Sequence, residues 1–332
     1  MTTRRKLLCS ILPCVALGAL VPLSESLAQA QPTWPTPGRT IRIIVPSAPG
    51  SGTDILSRAF ANYLQGRLKQ TVIIDSKPGG NTIVGAEAGK NATPDGYSFF
   101  NSTGSTHSAN PALYAKLPYD PGKDFIEVGL LGTFPYLALV KKDSPYRNIA
   151  DLIAAAKAKP GAVNYGYSGS SSLVPLEMLK SHAGVNIVPI SYKAAPAVVN
   201  DIAAGIIDFA ILAAISGRQS VQNGLLRPAA VTSTTRLSIL PDVQAVAETL
   251  PGFQLEGWVG ISAPVATPRP IVEAMNRYVR DSLTDPLIKR NADQLGVVLI
   301  SKTVAEQNDF ANADRKRWAD LIRSLKIPEE KS

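Results

Sequence analysis

Ile41-Arg42-Ile43-Ile44-Val45-Pro46-Ser47-Ala48-Pro49-Gly50-Ser51-Gly52-Thr53-Asp54 joins an apolar, β-branched run to a loop of small residues and then to the start of a periodic segment. From Asp54 to Lys69 the apolar residues Ile55, Leu56, Ala59, Phe60, Tyr63, Leu64 and Leu68 recur at the three-to-four spacing of one buried helix face. The stretch therefore reads as strand, loop, helix, with Thr53 or Asp54 able to cap the helix and the glycines allowing a tight turn. The same alternation recurs along the chain. Thr71-Val72-Ile73-Ile74 and Tyr136-Leu137-Ala138-Leu139-Val140 read as buried strands, and further helices are expected at 83–91, 148–158, 172–183, 196–204, 243–249, 268–282, 285–294 and 303–325. Strand followed by helix, repeated, implies an α/β fold with largely parallel sheets and right-handed crossovers.

Residues 1–30 read as an export signal: Arg4, Arg5 and Lys6, an apolar run from Leu7 to Leu23, and small residues at Ala28 and Ala30. Arg4-Arg5 also leaves a twin-arginine route open beside the general one. The apolar run, broken by Pro13 and Pro22, is too short to be a permanent span, so the mature chain is expected to be soluble, in the periplasm and without stable membrane insertion. Both cysteines, Cys9 and Cys14, lie in the signal, which removes disulfides and thiolate sites from the mature chain and leaves His107 and His182 as its imidazoles. No metal site, cofactor or catalytic residue is expected. Loss of the signal removes three of 34 basic and one of 26 acidic residues, leaving a net charge of about +6. The basic residues are scattered, which disfavours nucleic acid and suits a field that attracts small anions, or ordinary solubility.

About 300 mature residues exceed what one core usually supports, so two lobes are expected. No long polar linker separates them. The expected lobes are therefore discontinuous, residues 31–132 plus 255–332 and residues 133–254, joined by two crossing strands within Gly129–Val140 and Phe253–Pro264. Such crossings make a hinge and a cleft.

Four loops share one character: small polar residues after a strand and before a helix. The first carries Ser47, Ala48, Gly50, Ser51, Gly52, Thr53 and Asp54, and its amides at a helix start would suit a carboxylate or phosphate. It is no P-loop, since no Gly-Lys-Ser/Thr follows. The second, around Ser102, Gly104, Ser105, Thr106 and His107, is rich in hydroxyls. The third holds Tyr167, Ser168, Gly169, Ser170 and Ser171, and the fourth Tyr192, Lys193, Ala194 and then Pro196, placed to open a helix. Lys193 would pair with an anion or with solvent. Asp208 would meet a polar ligand group, fix the hinge or cap a turn, and Trp258 would be cleft wall or core.

These residues also carry a resemblance. Ile43-Ile44-Val45-Pro46 with Ala48-Pro49-Gly50 and Gly52-Thr53-Asp54, Lys77-Pro78-Gly79-Gly80-Asn81, Pro94-Asp95-Gly96-Tyr97, Asn110-Pro111-Ala112-Leu113-Tyr114 and Leu117-Pro118-Tyr119-Asp120-Pro121 appear in order. Ala156-Lys157-Ala158-Lys159-Pro160-Gly161, Leu240-Pro241-Asp242-Val243 and Pro251-Gly252-Phe253, ahead of Trp258 and Ala263-Pro264, complete the pattern. Together they resemble the extracytoplasmic solute receptors of tripartite tricarboxylate transporters, the Bug receptors. The resemblance implies a type II periplasmic-binding-protein fold that closes on a small carboxylate and delivers it to the transporter's membrane subunits, with no reaction. It also implies that amides, hydroxyls and water from 47–54, 102–107 and 168–172, helped by the Tyr192 segment, grip the carboxylate. Ser47, Ser51, Leu173 and the run Tyr192-Lys193-Ala194-Ala195 depart from the family's usual residues where the far end of the ligand would sit.

The sequence is thus read as a monomeric receptor, with two alternatives. One is a secreted α/β hydrolase using His107 and a nearby serine, although no Gly-x-Ser-x-Gly elbow is present. The other is a receptor that feeds a signalling protein.

Overall fold

The computed structural model describes residues 34–237 and 239–329, the side chain of Ser171 excepted. The expected export signal lies outside them. Strand β1 (Ile41–Val45), buried at four of its five positions, leads through the 46–51 loop into α1 (Gly52–Leu68). Ser51, and neither Thr53 nor Asp54, caps that helix, its hydroxyl accepting from the Asp54 amide at 3.3 Å. There follow β2 (Val72–Ser76), α2 (Ile83–Lys90) and β3 (Ser98–Thr103), then a π-helical turn over Ser105–Ala109, α3 (Asn110–Leu113), α4 (Pro121–Asp124) and the long strand β4 (Phe125–Lys141). Next come α5 (Ile149–Ala158), β5 (Asn164–Tyr167), α6 (Ser170–Ala183), β6 (Val188–Ser191), α7 (Ala195–Ala204), β7 (Phe209–Ala213), α8 (Ala214–Gln222) and β8 (Leu226–Val231). The chain ends with β9 (Glu256–Pro264), α9 (Arg269–Ser282), α10 (Pro286–Leu295), β10 (Val298–Leu299) and α11 (Val304–Ser324).

The strands run in the order β2-β1-β3-β9-β4-β7-β5-β6, with β8 and β10 also on β4. At one end β1 pairs in parallel with β2 and β3, and at the other β5 pairs in parallel with β6 and β7. Between these halves every pairing of β4 and β9 is antiparallel. Strand β4 belongs to both halves: its stretch Phe125–Pro135 pairs with β9, and Tyr136–Lys141 with β7 and β8. The return crossing is clamped by Thr232, whose amide donates to Tyr136 O at 3.0 Å and whose hydroxyl donates to Leu255 O at 2.6 Å.

Two large apolar clusters pack the sheet, and each takes in residues from both halves: Leu137, Leu139 and Leu212 share the cluster of Ile41 and Phe99, and Leu113 and Trp318 share that of Phe209 and Ile211. Ile41, Ile43 and Phe99 meet Leu56 and Phe60 of α1 and Val272, Met275 and Val279 of α9, all nearly inaccessible. Phe209 and Ile211 meet Leu152 of α5 and Leu179 of α6 in a second cluster that takes in Trp318. Each such side chain contributes about 1.5–3 kcal/mol of burial.

Two local expectations change. The segment 243–249 forms one 3-10 turn, Val246–Glu248, because Gln244 and Ala245 before it are held extended by the bridge between Val231 and Ala245 and by the Val231 amide on Gln244 O. Helix α8, which the sequence reading omits, does form. Ser216, Gly217 and Ser220 weaken its propensity, but Ala214, Ile215, Gly217 and Ser220 are buried against the sheet and neighbouring helices, and that packing decides.

Candidate functional site: a cavity at the carboxyl ends of six strands

A cavity of about 350 Å³ lies where the carboxyl ends of β1, β2, β3, β5, β6 and β7 meet, in the size range of small-molecule sites. In open α/β sheets the loops after the strands are where the backbone is free to approach a ligand. Ser47 and Ala48 follow β1, Pro78 to Thr82 follow β2, and Gly104 and Ser105 follow β3. Ser168, Lys193 and Ala213 follow or end the strands of the other half, while Phe134 and Tyr136 of β4 with Gly257 and Trp258 of β9 form the wall.

Four helices of nine residues or more begin at this wall: α1 at Thr53, α6 at Ser172, α7 at Ala195 and Pro196, and α8 at Ile215 and Ser216. The first amides of a helix lack intrahelical acceptors, and the aligned peptide dipoles leave partial positive charge there. Among the described residues Lys193 is the one charged residue in the lining, and no carboxylate lines the cavity. The described surface offers hydroxyl and amide donors and no anionic acceptor, which suits an anion.

The residues expected from sequence divide into two groups. Ser47, Ala48, Thr53, Gly104, Ser105, Ser168, Lys193 and Ala194 line the cavity. Asp54 does not: buried to 1% exposure, it accepts from the Gly50 amide and from Arg58 Nε, each at 2.8 Å, and so braces the loop from behind. Gly50, Ser51 and Gly52 shape the same turn. Gly52 is obligatory there, because a Cβ would stand 1.9 Å from Ile215 O across the cleft.

Ser102 is buried and donates to Glu127 Oε2 at 3.0 Å. Thr106 Oγ1 lies 2.8 Å from His107 Nδ1, and His107 Nε2 stands 3.3 Å from Glu127 Oε1 without a hydrogen bond between them, the imidazole being enclosed in the core. Phe100, Phe125 and Trp258 surround that ring. Burial, with the charge of Arg315 acting the same way, drives His107 down to about 3, whereas burial pushes Glu127 up to about 7 against the hydrogen bond from Ser102.

In the other half, the buried hydroxyl of Ser172 accepts from the Ser168 amide at 2.8 Å. Tyr167 faces a separate depression with Leu173 and Pro189. Tyr192 directs its hydroxyl to Asp201 Oδ2 at 2.6 Å, and Asp208 accepts from the Asn164 amide at 2.8 Å, joining the start of β7 to β5. Trp258 is both wall and core, 1% exposed, with its Nε1 donating to Asp314 Oδ2 at 2.8 Å.

Sequence reasoning about loops passed over Asn81. It sits at φ 50°, and its Nδ2 donates to Asn110 Oδ1 and to Ser170 Oγ, each at 3.1 Å, while Ser170 Oγ donates to Asn110 Oδ1 at 2.9 Å. Gly169 makes room for it, since a Cβ there would stand 2.3 Å from Asn81 Oδ1. The strand ends of β2 and β5 are thus bridged by side chains. Lys77-Pro78-Gly79-Gly80-Asn81 marked this loop as a motif, but nothing in it showed a partner 89 residues away.

The model of the tripartite tricarboxylate transporter family receptor matches residues 56–327. The chain belongs to that receptor family. Among solved structures, R. palustris Rpa4515 with adipate superposes on this receptor with a TM-score of 0.83 at 28% identity, over 89% of this chain and 99% of that one. The periplasmic binding protein BugD does so at 0.80 and 27%, over 90% and 100%. MatC from Rhodopseudomonas palustris, with bound malate, gives 0.79 and 26%, over 86% and 100%. The receptor therefore has the periplasmic-binding-protein fold and is a solute-binding receptor by family. Among the described residues no helix is long and apolar enough to cross a membrane.

Proposed function

We propose that this receptor, exported to the periplasm, captures a small organic carboxylate in the cavity between two lobes and delivers it to the membrane subunits of a tripartite tricarboxylate-type transporter. The lobes are residues 31–132 with 255–332, and residues 133–254, hinged on β4 and β9. The observation that carries this reading is the cavity itself: four helix starts, a row of hydroxyls and one lysine face it, with no acid. Two similar structures hold adipate and malate, which supports a carboxylate of this size.

In this reading Thr53, Ser105, Ser168 and Ser172, with the first amides of α1 and α6, grip the carboxylate, while Asp54, Ser170 and Tyr192 hold the gripping loops in place. Charge-assisted hydrogen bonds of this kind bind an anion without a fixed counter-charge. The receptor acts as a monomer and performs no reaction. His107 is fully buried, is not among the residues lining the cavity and has its Nδ1 on Thr106, which disfavours the hydrolase alternative.

A thermal-shift screen of refolded, ligand-free protein against organic acids, with amino acids and sugars as controls, tests the proposal. A ligand that binds the native state alone raises the melting temperature by mass action. A shift confined to carboxylates is expected; silence across all acids would sink the carboxylate reading.

A further inference from the structure

We propose that Lys193 is the specificity-determining residue of the cavity: its ammonium takes a second anionic group of the ligand, so that the receptor favours dianions over monoanions of the same chain length. This rests on the carboxylate reading above. Three observations carry it. First, the donors from β1, β3 and β5 are neutral, whereas the loop after β6 supplies the single fixed charge of the lining. Neutral donors can hold one carboxylate, but a second anion leaving water needs a compensating charge.

Second, Lys193 is uncommitted. Among the described residues Lys193 makes no ion pair, and no acid lines the cavity to neutralise it. Third, its backbone is held at the rim on both sides. The Tyr192 amide donates to Tyr167 O at 2.9 Å, the Tyr192 hydroxyl is pinned on Asp201, and Ala194 O receives the Ala197 amide at 3.2 Å as α7 begins. A rigid stem with a free cationic tip is suited to select charge, because the backbone does not have to be ordered on binding.

The test compares wild type, Lys193→Gln and Lys193→Arg by calorimetric titration with two matched pairs, succinate against butyrate and adipate against hexanoate. Lys193→Gln is expected to lose about tenfold or more in dianion affinity, the scale of one charge-assisted contact, and about twofold or less for the monoanions. Lys193→Arg is expected to keep most of the dianion preference. Because Lys193 is exposed, the ligand-free melting temperature should not move, which separates selectivity from folding. An unchanged dianion-to-monoanion ratio in Lys193→Gln, or an equal loss for both classes, overturns the role of Lys193 alone. If wild type binds none of the four acids and no other carboxylate, the capture reading falls and this inference with it.

Discussion

Beneath the cavity, His107 and Glu127 are a fully buried imidazole and carboxyl 3.3 Å apart, and their surroundings move their proton affinities in opposite directions. Folded, the pair holds one proton on Glu127 from about pH 3 to about 7, with His107 neutral. Unfolded, the same two groups, at their usual 6.5 and 4.5, also hold one proton between those values, now on the histidine. Stability depends on pH only where the proton counts differ. The histidine's contribution is complete above 6.5 and lost as pH falls toward 3; the glutamate's is complete below 4.5 and lost as pH rises through 7. Their sum is a plateau between 4.5 and 6.5, falling on either side. Glu127→Gln should abolish the plateau, with stability climbing all the way to pH 6.5 and no decline through 7 attributable to this pair. Melting temperatures measured across pH for both proteins check this, and identical profiles would show that the pair does not titrate this way. None of this was legible in the sequence, where His107 among serines resembled a loop residue: its partner Glu127 comes from β4, 20 positions on, and only the packing of Phe100 and Phe125 on the ring makes the pair dry.

At the scale of elements, the strand–loop–helix units were legible because their periodicity is local. The expected helix from Asp54 to Lys69 is α1 within two residues at each end, and the expected helix at 303–325 is α11, opened by a Thr303–Glu306 capping box. Contacts between units were not legible, since register and approach distance are set by residues far apart in the chain. The bridge of Asn81, Asn110 and Ser170 is the clearest case, and Gly169 is its weak point. At φ +84° a side chain there costs about 1–3 kcal/mol, and a Cβ would also collide with Asn81. Gly161 offers a control: its φ is similar, +78°, but no atom lies closer than 3.9 Å to a Cβ. Gly169→Ala should weaken carboxylate binding about tenfold or more, the equivalent of about 1.4 kcal/mol, whereas Gly161→Ala should lower the melting temperature and leave affinity alone. Equal affinities for the two variants would remove the bridge from the binding mechanism.

Across the whole molecule, the closure proposed above would turn on the few strands that join the two ends of the mixed sheet. The parallel groups at either end are each covered by helices, and only β4 and the return through Thr232 to β9 join them within the sheet. In this structure Gly52 already stands against Ile215 and Asn81 against Ser170, so the two halves meet at the cavity. Closure would bring the neutral donors of one half and Lys193 of the other around the same ligand, exchanging water for preorganised dipoles. The alternation of strands and helices marked the α/β class, and 129–140 and 253–264 were expected as crossing strands; their antiparallel pairing follows from the chain having to return, which no local pattern reports.

The central claim, that a carboxylate is held between the halves at the carboxyl ends of the strands, is tested most directly by a crystal structure grown with the acid giving the largest thermal shift. The account predicts the acid in the cavity bounded by Thr53, Ser105, Ser168 and Trp258, with one carboxylate hydrogen-bonded to amides or hydroxyls from both halves. An acid bound elsewhere, or touching one half alone, would contradict it.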